Sequence, residues 1–113
     1  MNIRHHALAA LVLGVSACAS APSGPAGTRQ PEWTRYLCKD GQTVQATYPD
    51  TDTALLKIQG GAHTLHVAIS GSGARYIGDG WQWWTKGMHD GMLSPLAPGE
   101  GIASSPGTAC HTD

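Results

Sequence analysis

TVQATYPDTDTALLKIQGGAHTLHVAI, residues 43–69, is the stretch on which the fold class turns. Its apolar residues alternate with polar ones over short runs, as at Val44 and Ala46 or at Leu56 and Ile58. A period of two puts successive side chains on opposite faces of a strand, whereas a helix needs apolar residues three and four apart. Three strands are predicted here: Thr43–Tyr48, Ala54–Gln59 and His63–Ile69. Pro49-Asp50 starts the first turn between them, and Gly60-Gly61 supplies the positive φ that a tight hairpin needs.

The same pattern continues on both sides. Runs rich in Thr, Tyr, Ile and Trp, cut by Gly and Asp, predict strands at Arg35–Lys39, Arg75–Ile77, Gln82–Lys86 and Gly91–Leu96. Asp40-Gly41 is a further tight-turn signal. A last strand is expected near Ile102 or leading into Cys110. Pro95, Pro98 and Pro106 each remove a ladder donor, so strands in that quarter must be short or lie at an edge. No helical period of any length is present. The class is therefore all-β, and sequential hairpins in so short a chain predict an antiparallel meander that closes into a small barrel, which removes exposed edges.

The N-terminus has a different character. MNIRHHALAALVLGVSAC carries Arg4 in a basic start, an apolar run from Ala7 to Val15, and small residues before Cys18. This is the pattern of an export signal, with an apolar run well short of the ~20 residues of a membrane-spanning helix. Val15-Ser16-Ala17-Cys18 has the form of a lipobox, in which the cysteine is acylated and becomes the mature N-terminus. Residues 1–17 are expected to be a lipoprotein signal peptide, and residues 18–32 the lipidated Cys18 with a linker of Ala, Ser, Gly and Pro, unable to bury a core. Residues 33–113 are expected to form the domain. Several alkyl chains on one cysteine hold a protein stably to a membrane, and by the sorting convention of such lipoproteins Ala19 after the cysteine implies the outer membrane. The expected location is the cell envelope, on the periplasmic face of that membrane.

With Cys18 taken by lipid, Cys38 and Cys110 form an even set in an oxidising compartment and are expected to be disulfide-bonded. No Cys-x-x-Cys pair is available for a metal. From Cys18 onward six basic side chains face eight acidic ones, a net charge of −2 with no basic patch, so nucleic acid is not an expected partner. A mildly acidic surface favours encounter with a basic protein.

The residues that invite chemistry mostly have a simpler reading. His63 and His66 fall on opposite faces of one strand and cannot chelate together. Around Ser72, a nucleophile elbow would need Gly where Ser70 stands. Asp50-Thr51-Asp52 starts like a calcium loop but has Leu55 and Gly61 where Gly and Glu are required, so a turn closed by its own Asp side chains is expected. No catalytic residue, metal, cofactor or small-molecule substrate is expected. Trp81 and Trp83 share a strand face that Trp84 does not. With no Phe in the chain, at least one face of this cluster is expected to fill the core. A sugar-stacking platform in a cell-wall-binding or structural lipoprotein is the alternative.

SGSGARYIGDGWQWWTKG, residues 70–87, contains Ser72, Gly73 and Tyr76 as a Ser-Gly-x-x-Tyr motif, and Lys86-Gly87 after an aromatic strand. Tyr36-Leu37-Cys38, Thr47-Tyr48-Pro49-Asp50 and the closing Cys110 frame it in the same order. In these features the chain resembles the membrane-bound and periplasmic inhibitors of c-type lysozyme (the MliC/PliC family). The resemblance implies an eight-stranded antiparallel barrel without enzymatic activity. Its Ser72 and Lys86 loops would enter the cleft of a c-type lysozyme, with Ser72, Gly73, Tyr76, Lys86 and Gly87 as the lysozyme-binding set. The chain departs from the family pattern after Gly87: Met88-His89-Asp90-Gly91 and a Pro/Gly-rich run stand where relatives continue with acidic residues and a regular hairpin, and Gly80 replaces the Tyr that leads the longer lysine motif.

Overall fold

A computed structural model describes residues 32–113 and Gly14. The expected signal peptide, Cys18 and most of the linker lie outside the described residues. The eight strands among those described are β1 (Thr34–Cys38), β2 (Thr43–Asp50), β3 (Thr53–Ile58), β4 (Gly61–Ala68), β5 (Ala74–Gly78), β6 (Trp81–Lys86), β7 (Asp90–Pro95) and β8 (Thr108–His111). Each pairs antiparallel with its neighbours in chain order, and β1 pairs with β8 to close the barrel. The last strand leads into Cys110; Ile102 lies in the β7–β8 connection and is exposed.

Alternation decides what goes inside. Tyr36, Val44, Leu56, Ile58, Leu65 and Leu93 are all buried in one cluster, with Trp83 at its centre. Trp83 is wholly buried, meets Tyr36 edge-on at 5.0 Å between ring centroids, and donates its indole N–H to the Tyr48 hydroxyl at 3.0 Å. A buried indole usually needs such an acceptor. Gly91 is the other half of this arrangement, because a Cβ there would overlap the Trp83 ring. Cys38 and Cys110 are direct register partners across the β1–β8 seam, and they are disulfide-bonded.

Turn chemistry follows the signals with one shift. The β3–β4 hairpin turns on Gln59 (φ 50°) and Gly60 (φ 81°), not on Gly60-Gly61. Ile58 pairs with Gly61, because keeping Leu56 and Ile58 inward sets the register and leaves two residues for the turn. Asp79-Gly80 turns the β5–β6 hairpin in the same way. Asp50 Oδ1 accepts the Asp52 N–H at 2.8 Å, so the Asp-Thr-Asp stretch is a self-bonded turn. That bond favours the ionised carboxyl and holds Asp50 below its usual range. Pro49 sits in a register shift of β2 between Thr47 and Asp50, where a missing donor is tolerated.

The segment after Gly87 is regular despite its composition. β6 and β7 pair without a break from Trp81↔Pro95 to Lys86↔Asp90. The intervening Gly87-Met88-His89 loop is tied to the C-terminal tail: the Thr112 N–H donates to the His89 carbonyl at 2.9 Å, and the two side chains bond at 2.9 Å. The Pro/Gly-rich connection, residues 96–107, folds back over the outer face of β5, β6 and β7. It covers Arg75, Gln82 and Ser94, three outward-pointing polar residues that are nonetheless buried. Glu100 fixes the start of this strap by accepting from the Ala97 N–H (3.0 Å) and the Ser104 hydroxyl (2.6 Å).

Candidate functional site at one end of the barrel

In an antiparallel meander alternate connections fall at the same end. The β2–β3 turn, the β4–β5 loop that holds Ser72, and the β6–β7 loop after Lys86 therefore share one rim, although 14 positions separate the two candidate residues in sequence. Both side chains are exposed there. Inside the rim lies an open mouth of about 290 Å³, lined by Tyr36, Tyr48, Tyr76 and Thr85 from the walls and by Gly87 and Met88 from the rim.

The tyrosines form the floor. Tyr76 is buried and packs at 5.5 Å between centroids against Tyr48. Tyr48 is 39% exposed as a residue, yet its hydroxyl points inward to Trp83. Burial pushes all three phenols above their ordinary range, Tyr48 most, so the floor is polar but uncharged at neutral pH. Tyr76 thus offers little surface itself; it supports the rim from below.

The two rim loops are joined through Trp84. Its indole N–H donates to the Ser72 carbonyl at 2.8 Å, and the Lys86 ammonium stands 5.8 Å from its ring. Within the Ser72 loop, the Ser70 hydroxyl donates to the Gly73 carbonyl at 3.1 Å. Gly73 has φ +65°, and a Cβ there would overlap the Thr85 carbonyl oxygen on β6. Gly71, by contrast, has open space and no left-handed φ. Gly87 also needs its left-handed φ of 67° to turn the chain after Lys86. Gly73→Ala is expected to cost about 1–3 kcal/mol of stability through strained backbone, and to push the Ser72 loop off β6. Thermal melts of Gly73→Ala beside Gly71→Ala check this; equal melts would show that the close approach is not needed.

Lys86 has no carboxylate within 4.0 Å: among the described residues the only basic side chain that close to a carboxylate is His63, beside Asp79 at the other end of the barrel. The ammonium is thus unneutralised and the hydroxyl of Ser72 exposed, beside an apolar rim of Ile69 and Met88. Ile69, Met88 and the linking role of Trp84 were not readable from the sequence, because they depend on which loops share an end.

The tryptophans do not make a common platform. Trp83 is in the core, Trp81 is half-buried against it, and Trp84 faces outward with its indole N–H engaged. No cluster of three or more metal-ligating side chains occurs among the described residues.

The family described as membrane-bound lysozyme-inhibitor of c-type lysozyme matches residues 36–97. A membrane-bound lysozyme inhibitor of C-type lysozyme from Cupriavidus necator is 37% identical over 103 residues, covering 83% of this chain and 82% of that protein. Among solved structures, Pseudomonas aeruginosa MliC, crystallised in complex with hen egg white lysozyme, is similar with a TM-score of 0.50 and 26% identity, over 74% of this chain and 83% of that one. By sequence and by fold, the chain belongs to the family of membrane-bound inhibitors of c-type lysozyme.

Proposed function

We propose that this protein inhibits c-type lysozyme by inserting the Ser72 and Lys86 loops into the enzyme's cleft, without catalysis of its own. The observation that carries the proposal is the placement of an exposed hydroxyl and an unneutralised ammonium on one rim, braced through Trp84, in a member of an inhibitor family. The target chemistry suits them. Retaining glycosidases, of which lysozyme is the type case, use two carboxyl groups about 5 Å apart. An ammonium is a compact charge with three donors, able to address both. Ser72, Gly73, Tyr76, Lys86 and Gly87 then divide the work. Ser72 and Lys86 touch the enzyme, the two glycines shape the loops, and Tyr76 supports them.

In this reading Cys18 carries the lipid that holds residues 33–113 to the outer membrane, facing the periplasm. The printed names of the family and of the Cupriavidus relative, both membrane-bound, support a membrane location. No part of the proposal calls for a cofactor or a small-molecule substrate.

A turbidity assay tests the function. Purified protein at near-stoichiometric amounts is expected to stop c-type lysozyme from clearing a cell-wall suspension, and clearing at the normal rate in a large excess would reject the proposal. Ser72→Ala is expected to weaken binding by about 0.5–1.5 kcal/mol, the net worth of a neutral hydrogen bond, or up to about 3 kcal/mol if its partner is charged. Calorimetric titration of lysozyme with the variant measures it, and a wild-type Kd would remove Ser72 from the contact set.

A further inference from the structure

Arg75 lies between the motif residues Gly73 and Tyr76 but points to the opposite face from Tyr76, under the strap. It is only 7% exposed. Its Nε and Nη2 both donate to the Ile69 carbonyl, at 3.0 and 2.8 Å. Its Nη1 donates to the Gly101 carbonyl at 2.8 Å and to Gln82 Oε1 at 3.2 Å. Gln82, also buried, uses the same oxygen to accept the Ala103 N–H at 3.0 Å. No carboxylate balances the guanidinium; among the described residues it makes no ion pair. A buried cation is tolerated only when its donors find partners, and here four of its N–H bonds go to neutral oxygens: main-chain carbonyls of two separate segments and the Gln82 amide.

Those segments are the start of the Ser72 loop and the middle of the 96–107 strap. Ile69 has its carbonyl held by the fork while its side chain is 93% exposed. Three residues on, Trp84 holds the loop near its other end by the Ser72 carbonyl. Arg75 and Trp84 are cross-strand partners on β5 and β6, with the guanidinium carbon 5.9 Å from the indole. One cross-strand pair therefore grips the loop at both ends, and only the Arg75 end is tied to the strap.

We propose that Arg75 is a positioning residue for inhibition: its guanidinium clamps the Ser72 loop to the strap, so that residues 96–107 help set affinity for lysozyme. The proposal rests on the inhibitory reading above. A loop held in place before encounter loses less freedom on binding, which raises affinity without adding a contact. The planar fork is what the geometry uses, and a lysine would keep the charge but not the paired donation to one carbonyl.

The test compares Arg75→Lys and Gln82→Ala with wild type by amide hydrogen exchange of the free protein and by lysozyme binding kinetics. In both variants exchange is expected to speed up at 69–73 and at 100–104 together, with β2–β4 protected as before. Arg75→Lys is expected to bind about tenfold more weakly, as when the competent loop conformation falls to about a tenth of the population. Faster exchange in the strap alone, or wild-type affinity in Arg75→Lys despite a loosened loop, would overturn the clamp. A loss of protection throughout the barrel would overturn it too, because Arg75 would then hold the fold rather than the loop. If the wild-type protein fails to bind lysozyme, the inhibitory reading falls, while paired exchange at the two segments still reports whether they are coupled.

Discussion

Lys86→Ala is expected to weaken lysozyme binding by roughly 2–5 kcal/mol, mainly through faster dissociation. The side chain stands at the end of β6 with its ammonium exposed, steadied by the Trp84 ring 5.8 Å away and free of any carboxylate within 4.0 Å among the described residues. Its charge is thus available to a partner. Against a carboxylate at 4 Å the attraction is on the order of 4 kcal/mol at an effective dielectric of 20, part of which desolvation takes back. Truncation leaves the enzyme's carboxylate buried by the rim with nothing to neutralise it, and that penalty dominates the expected loss. The melting temperature is expected to stay at the wild-type value, since an exposed strand-end lysine contributes little to the core. A dissociation-rate measurement on surface-bound lysozyme checks the first expectation, and a thermal melt checks the second. Unchanged dissociation would mean that Lys86 is a solvated bystander, and Met88 and Ile69 on the same rim become the next positions to replace.

Removing the disulfide is expected to have the largest effect on stability. β1 and β8 share only two register pairs, Leu37↔His111 and Cys38↔Cys110, whereas β3 and β4 share six. The barrel is closed at its thinnest ladder, and the bond lies in that ladder. It joins residues 72 apart, for which the loss of chain entropy in the unfolded state gives about 4 kcal/mol. Domains of this kind have about 5–15 kcal/mol in all, so the bond is a large share. A Cys38→Ser/Cys110→Ser variant is expected to melt roughly 15–30 °C lower. Inhibition is expected to fall with it at temperatures where the rim loops lose their scaffold. An equal melting temperature with and without reductant would show that the ladder closes unaided.

Several features were legible in the residues before any coordinates. The period of two at Val44 and Ala46 and at Leu56 and Ile58 marked strand faces, because alternation is a local property of the backbone. Asp40-Gly41 marked a turn for the same kind of reason, and Gly41 has the expected left-handed φ of 91°. Pairing of Cys38 with Cys110 followed from counting thiols in an exported chain. The Gly60-Gly61 turn was placed one residue late because inward packing of Ile58, a tertiary effect, sets the register. Composition gave no structure for the Pro/Gly-rich run after Gly87. In residues 96–107 of that run, the Gly101 carbonyl and the Ala103 N–H are bonded to Arg75 and Gln82, partners about twenty or more positions earlier.

By itself, then, the sequence determined the all-β class, the disulfide and the Ser72 and Lys86 motifs, since each rests on side-chain identity or near-neighbour spacing. Only the tertiary structure decided that those motifs share one rim, that Trp84 joins them, and that Arg75 is buried under a strap. These facts depend on barrel closure, which brings the ends of alternate hairpins together and folds the β7–β8 connection over an outer face that strand alternation alone would leave to solvent.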